Sequence, residues 1–182
     1  MKREQFLKGA IGAAALASLG FPSKAIPSQK KPFKVNAGKG RFNEVFLYKG
    51  KHPNDIKISG KDTDGQLAMF EYTGSEKIGP SFHVHFDQDE IFYVLEGSFR
   101  FVVGKETMLL NVGDTIFLPR NIPHSWIQLT DKGKLTYMVQ PAGKAEDFFR
   151  TMNNFKKQPT REEIDRIHEE CGIKVIGPPL TL

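Results

Sequence analysis

From Phe42 onward, apolar and polar positions alternate in short runs broken by turn residues. Candidate strands cover residues 42–48, 55–59, 66–73, 81–86, 90–96, 98–103, 107–110, 115–118, 124–129 and 135–140. Gly60, Gly65, Gly104, Gly113 and Gly133 punctuate them, and Glu96-Gly97 reads as a tight hairpin turn. Phe99, Phe101 and Val103 alternate with Arg100 and Val102, which assigns one face of that segment to a core. Many short strands at regular spacing predict an all-β sandwich or barrel. The period then changes to that of a helix. Residues 146–155 set Phe148, Phe149, Met152 and Phe155 on one face. Thr160-Arg161-Glu162-Glu163 is a capping box that opens a second helix, with Ile164, Ile167 and Cys171 as its apolar stripe and Gly172 as its stop. Both helices are expected to pack on the outside of the barrel. No internal repeat suggests a second one.

Before the barrel the pattern is different. Residues 1–25 combine a basic start at Lys2 and Arg3 with an apolar stretch rich in Ala and Gly, then Ser23-Lys24-Ala25. This reads as an export signal cleaved after Ala25, by the general secretory route or a degenerate twin-arginine-like one. The expected location is periplasmic or extracellular, with no stable membrane anchor after processing. Residues 26–41 are rich in Pro, Lys, Gly and Ser and read as a linker or arm. The expected organisation is therefore a signal at 1–25, an arm at 26–41, a barrel at 42–141 and a helical extension at 142–182.

Charge changes little in this picture. The formal net charge is +5, and the signal region holds Lys2, Arg3, Lys8 and Lys24 against Glu4. No basic stripe interleaves with aromatics, so nucleic acid is not an expected partner. Cys171 is the single cysteine, which leaves no internal disulfide, and it reads as a packed thiol.

The chemistry concentrates in His83-Val84-His85, Glu90 and His124, which hold three of the chain's five histidines. In a strand, residues two apart point to the same face, so His83 and His85 can aim at one point. A short turn can return Glu90 to that point, and His124 arrives from another strand. Three imidazoles and a carboxylate suit a first-row divalent metal and leave positions for water or substrate. His52, beside Pro53-Asn54-Asp55, and His168, on a charged helix, read as solvated surface.

The spacing is itself a pattern. His-x-His is followed by four residues, Glu90, six residues and Gly97; Gly113 is followed by five residues, Pro119 and then His124; fifteen residues separate the two blocks. In these motifs the chain resembles the cupin superfamily, and within it the single-domain, quercetin 2,3-dioxygenase-like cupins. Residues 79–128 carry the likeness, and residues 172–180 are also similar to that subgroup. Gly79 stands closer to the first histidine than the family's glycine does. Pro119-Arg120-Asn121 replaces P-x-G, with Asn121 able to take the left-handed turn, and Gln128 replaces an Asn. No ligand is lost.

The resemblance implies a jelly-roll β-barrel, RmlC-like, with helices outside. It implies His83, His85, Glu90 and His124 as ligands of one transition metal, whether Fe, Mn, Cu, Ni, Co or Zn, and Glu90 as the catalytic base of an O2-dependent ring cleavage. It also implies a homodimer. Alternation along the strands places Met69 (or Phe70), Phe92, Val94, Trp126, Gln128 and Met138 (or Tyr137) around an apolar, aromatic-lined pocket for a small molecule. Cupins of this motif type also include non-catalytic small-molecule binders of the cell envelope, and isomerases or lyases that use the metal as a Lewis acid. The fold does not choose among these.

Overall fold

The computed structural model describes residues 30–157 and 159–182. The expected export signal at 1–25 and the start of the arm lie outside the described residues. Strands β1 (Leu47–Tyr48), β2 (His52–Ile58), β3 (Ala68–Gly74), β4 (Ser81–His85), β5 (Asp89–Glu96) and β6 (Phe99–Val103) come first. Next come β7 (Glu106–Leu110), β8 (Thr115–Leu118), β9 (His124–Gln128) and β10 (Gly133–Gln140), then helices α1 (Ala145–Asn153) and α2 (Arg161–Glu170), and finally β11 (Ile173–Pro179). One sheet runs β1-β2-β3-β10-β5-β8 and the other β11-β4-β9-β6-β7. Every paired neighbour is antiparallel. The result is an all-β jelly roll.

Alternation builds the core. In β3, Ala68, Phe70 and Tyr72 are buried while Met69, Glu71 and Thr73 are less so; β10 does the same with Leu135, Tyr137 and Val139. Phe92 and Val94 of β5, Phe99 and Phe101 of β6, and Trp126 of β9 complete the interior. Tyr137 lies stacked between Phe70 and Phe92, with ring centroids 5.0 Å away on each side. Turn chemistry follows the sequence: Gly97 has φ 77°, and Asn121 takes the left-handed conformation at φ 64°. Gly79 serves a different need. A Cβ there would fall 1.6 Å from the Trp126 carbonyl oxygen, so only glycine lets the chain entering β4 pass this close to β9. β4 and β9 themselves share one paired position, His83 with His124, whereas β6 and β9 share five.

Three expectations change. The segment at 42–48 is a 3-10 turn (Arg41–Asn43) before the two-residue β1, because Phe42 and Asn43 both have positive φ. His52 is not solvated. It opens β2, which runs straight through the Pro53-Asn54-Asp55 signal read as a turn, and it is 1% exposed. Ser75 N–H donates to its Nδ1, and its Nε2 faces Glu76 at 3.2 Å. The C-terminal extension is not wholly helical. Its last segment is β11, which pairs with β4 and so sits beside the His-x-His motif.

α1 is fastened to the barrel by a buried carboxylate. Glu146 accepts from Ser59 Oγ at 2.8 Å, Gly60 N–H at 2.6 Å and Arg150 Nη2 at 2.9 Å. At its other end, Asn153 Oδ1 accepts from Leu47 N–H at 2.7 Å. Between them Phe149 packs on Phe70, with ring centroids 5.2 Å apart. Removing the carboxylate leaves buried donors unpaired. Glu146→Ala is therefore expected to cost about 2–3 kcal/mol of stability. That cost should show as a lower urea midpoint at unchanged slope, and Glu146→Gln, which keeps an acceptor, should lose less.

Candidate metal centre

The four expected ligands meet. One donor atom from each of His83, His85, Glu90 and His124 lies within 4.8 Å of the others. The histidines come from adjacent strands of one sheet, β4 and β9, and Glu90 comes from β5 of the other. The site thus spans the interior of the sandwich. The His85 and His124 rings are parallel to within 4°, with centroids 5.6 Å apart, and the His83 ring lies 4.6 Å from that of His124.

Each imidazole is oriented through its other nitrogen. His83 Nδ1 lies 2.8 Å from Ser81 O, His124 Nδ1 3.0 Å from Ile122 O, and His85 Nδ1 3.2 Å from Gln88 Oε1. All three partners are acceptors, so all three Nδ1 atoms carry the proton. This leaves the Nε2 lone pairs as the available donors, the arrangement expected of a metal-binding histidine. Gln88 is fixed in turn by Nε2–H bonds to Pro141 O and Ala142 O at 3.2 and 2.8 Å. Asn121 N–H donates to His85 O at 2.8 Å, tying the left-handed turn to the ligand strand. Sequence reasoning did not single out Gln88. Its signal was its position three residues after His85, within reach of that ring.

The electrostatics favour a cation. Glu90 Oε2 lies 2.9 Å from His124 Nε2 and 3.7 Å from His85 Nε2. With His124 Nδ1 donating to Ile122, two lone pairs would face each other at 2.9 Å unless a proton or a metal ion lay between them. Burial opposes charge on Glu90, but His85, His124 and His83 outweigh it and bring the carboxyl down to about 2. Burial also disfavours a charged His124, yet Glu90 raises its pKa overall. His83 goes the other way: burial, then His124 and His85, lower it to about 3, which keeps its imidazole neutral and ready to donate. A buried carboxylate beside imidazole nitrogens is a set that a divalent cation can satisfy. The residues present fit the group that the sequence pattern implies.

Above the site opens a cavity of about 860 Å³. His83, His85 and Glu90 reach its surface, while His124, 2% exposed, stands behind them. Phe92 and Trp126 line it. Val94 and Gln128 do not, although they share the inward direction. Each is four residues from the nearest ligand, about 13 Å along its strand, and so lies at the far end of the barrel. There Gln128 Nε2 donates to Thr130 O at 2.8 Å. Met69 and Met138 are also corrected: they pair with each other on the outer side of β3 and β10, and Tyr137 faces the cavity in place of Met138.

The helices are not merely exterior packing. Phe148, Phe149 and Met152 of α1 and Ile164 and His168 of α2 form one wall. The aromatic stripe of α1 was legible, but its role was not, because a stripe alone does not say whether it meets core or cavity. His168, expected to be solvated, is half-buried. Its Nδ1 donates to Ile164 O at 2.7 Å, its ring lies 4.8 Å from that of Phe148, and burial lowers its pKa.

Comparison with known proteins agrees with this geometry. Residues 68–140 match the cupin domain family. The chain is 28% identical over 162 residues to quercetin 2,3-dioxygenase of Bacillus subtilis (strain 168), covering 84% of this chain and 47% of that protein. It therefore spans about half the length of the curated relative it matches. Among solved structures it is similar to KdgF from Halomonas sp., with TM-score 0.52 and 18% identity over 61% of this chain and 94% of that one. An RmlC-like cupin from Shewanella frigidimarina NCIMB 400 gives TM-score 0.53 and 19% identity over 65% and 98%. The last two likenesses bear on the fold alone. Residues 68–140 thus form a cupin domain, and its His/Glu cluster could hold a metal ion.

Metal binding at this cluster is expected to stabilise the fold by about 2.7 kcal/mol at a hundredfold excess over Kd. Elemental analysis of the purified protein should find about one ion per chain. Both the ion and the rise in Tm should be lost in His83→Ala and His124→Ala.

Proposed function

We propose that this protein is a metal-dependent cupin dioxygenase that acts with O2 on a small aromatic or enol-bearing molecule. The observation that carries the reading is the one-sided opening of the His83/His85/Glu90/His124 cluster into an aromatic-walled cavity. The partial likeness to quercetin 2,3-dioxygenase supports it.

A first-row cation held by His83, His85, Glu90 and His124 would acidify and orient an enol or catechol oxygen and supply redox capacity. The chain's own residues do the rest. Phe92 and Tyr137 are stacked to within 13° of parallel, and Trp126 stands on the opposite sheet, so a flat ring finds flat apolar walls. The aromatic residues of α1 cover the same space and restrict water, which strengthens every polar interaction on the floor. Glu90 is ionised and lines that floor, so it can accept a proton from a ligand hydroxyl placed beside the histidines. His83 and His85 Nε2 mark where that hydroxyl must approach.

The test is O2 uptake by the metal-loaded protein across a panel of flavonols and catechols. Turnover is expected with at least one of them, and Glu90→Gln should lower kcat by about 10²-fold or more while leaving the fold intact by circular dichroism. Stoichiometric redox-active metal without O2 uptake from any of them would overturn the dioxygenase assignment. Zinc as the resident ion, with ligand turnover independent of O2, would move the assignment to an isomerase or lyase. Ligand binding without turnover would move it to a binding protein.

A further inference from the structure

The cavity that serves the proposed function has an uneven charge distribution. Its floor holds Glu90, and no other carboxylate lines it among the described residues. Its lining also includes three lysines, Lys49, Lys156 and Lys157. These belong to two segments held side by side. Leu47 N–H bonds Asn153 Oδ1 at 2.7 Å, Lys49 follows Leu47 by two residues, and Lys156 and Lys157 follow Asn153 by three and four.

Several cations elsewhere in the chain are paired. Arg41 meets Asp62, Lys57 meets Asp55 and Glu71, Arg120 meets Asp89, and Arg150 meets Glu44 and Glu146. The three cavity lysines form no ion pair among the described residues. Lys49 Nζ has one neutral acceptor, Gly79 O, at 2.8 Å. Desolvation lowers the Lys49 pKa, a cost that a nearby anion would offset. Cations gathered in one part of a cleft, between apolar walls, concentrate their field and attract the opposite sign. About 860 Å³ is ample for a small amphipathic molecule.

We propose that the cavity takes an anionic amphipathic ligand: an apolar, aromatic body between β5, β10 and α1, with a carboxylate-like group at Lys49, Lys156 and Lys157. This rests on the reading of the cavity as the ligand site and narrows the substrate class. A catechol or enol on the inner part of the molecule faces the histidines, and the anionic group points to the lysines. The lysines are specificity residues, distinct from the groups on the floor.

The experiment uses two fluorescent probes of the same skeleton, anionic 8-anilino-1-naphthalenesulfonate and neutral N-phenyl-1-naphthylamine. Both are titrated into the full, metal-loaded protein at low and high salt. The anion is expected to bind about tenfold more tightly at low salt, the size that three exposed ion pairs can supply. Lys49→Gln/Lys156→Gln/Lys157→Gln should bring the ratio near one without changing binding of the neutral probe. Lys156→Gln/Lys157→Gln, which leaves the Lys49–Gly79 bond in place, should lose a large part of it. Lys105→Gln/Lys132→Gln, which leaves the cavity lining untouched, should keep the wild-type ratio. Equal binding of the two probes by the wild type, or an unchanged ratio in the triple variant, would overturn the proposal. Metal content and O2 uptake are read separately, so a protein that turns over substrate but shows no anion preference defeats only this inference. An anion preference without metal or turnover defeats only the dioxygenase assignment.

Discussion

A buried carboxylate facing imidazole nitrogens from the opposite sheet is the constraint on which the rest depends. Glu90 lies 6% exposed in the middle of the sandwich, and an isolated charge there would be prohibitive. It is tolerated because three histidines surround it, each set by an acceptor at its far nitrogen. Those acceptors are backbone carbonyls two residues away for His83 and His124, and Gln88 for His85. The local chain conformation on β4 and before β9 therefore decides where the nitrogen lone pairs point. The strained turn at Asn121 and the glycine at position 79 are parts of the same arrangement, since each lets backbone come close to a ligand strand.

The second layer is the covering of the site. An open jelly roll would expose the ligands to bulk water. Here the chain returns after β10: α1 and α2 wall the cavity beside the ligands, and β11 joins the edge of the sheet next to β4. The closure is polar at its anchors and apolar at its inner face. Glu146 and Asn153 hold the two ends of α1, and the side chains between them are left to shape a hydrophobic wall. Position and chemistry are thus separated along one short helix.

The ligand set was legible in the sequence because it is local: His-x-His depends only on the two-residue period of a strand, and Glu90 and His124 stand at recognisable intervals from glycine and proline. The all-β class was legible for the same reason. What failed was non-local. Direction in a strand does not give depth, so Val94 and Gln128 were placed with Phe92 and Trp126 although they lie at the other end of the barrel. The choice between Met138 and Tyr137 needed the sheet's face, which a single strand's period cannot supply when both neighbours are apolar. His52 was misjudged because Pro-Asn-Asp is turn chemistry in isolation, yet pairing with β1 and β3 on both sides holds it extended. His168 and the lysines of the cavity depend on where two helices dock, which no periodicity encodes.

The meagre pairing of β4 with β9 gives the cluster a mechanical meaning. Every other strand junction in that sheet has several paired positions, but this one has only His83 with His124, flanked by the Asn121–His85, Ser125–Pro80 and Gln128–Ile78 hydrogen bonds. It is a thinly laddered seam, and the ligand cluster sits on its one paired position. A cation held by His83 and His124 would clamp the seam from inside, and since His124 is separated from Glu90 by 34 residues, gripping both of those would also close a long loop. The same ion would rivet the two leaves of the sandwich, because Glu90 belongs to the opposite sheet. Cation occupancy and integrity of the barrel wall would in this way be one equilibrium: what loosens the seam would loosen the grip on the ion, and the reverse.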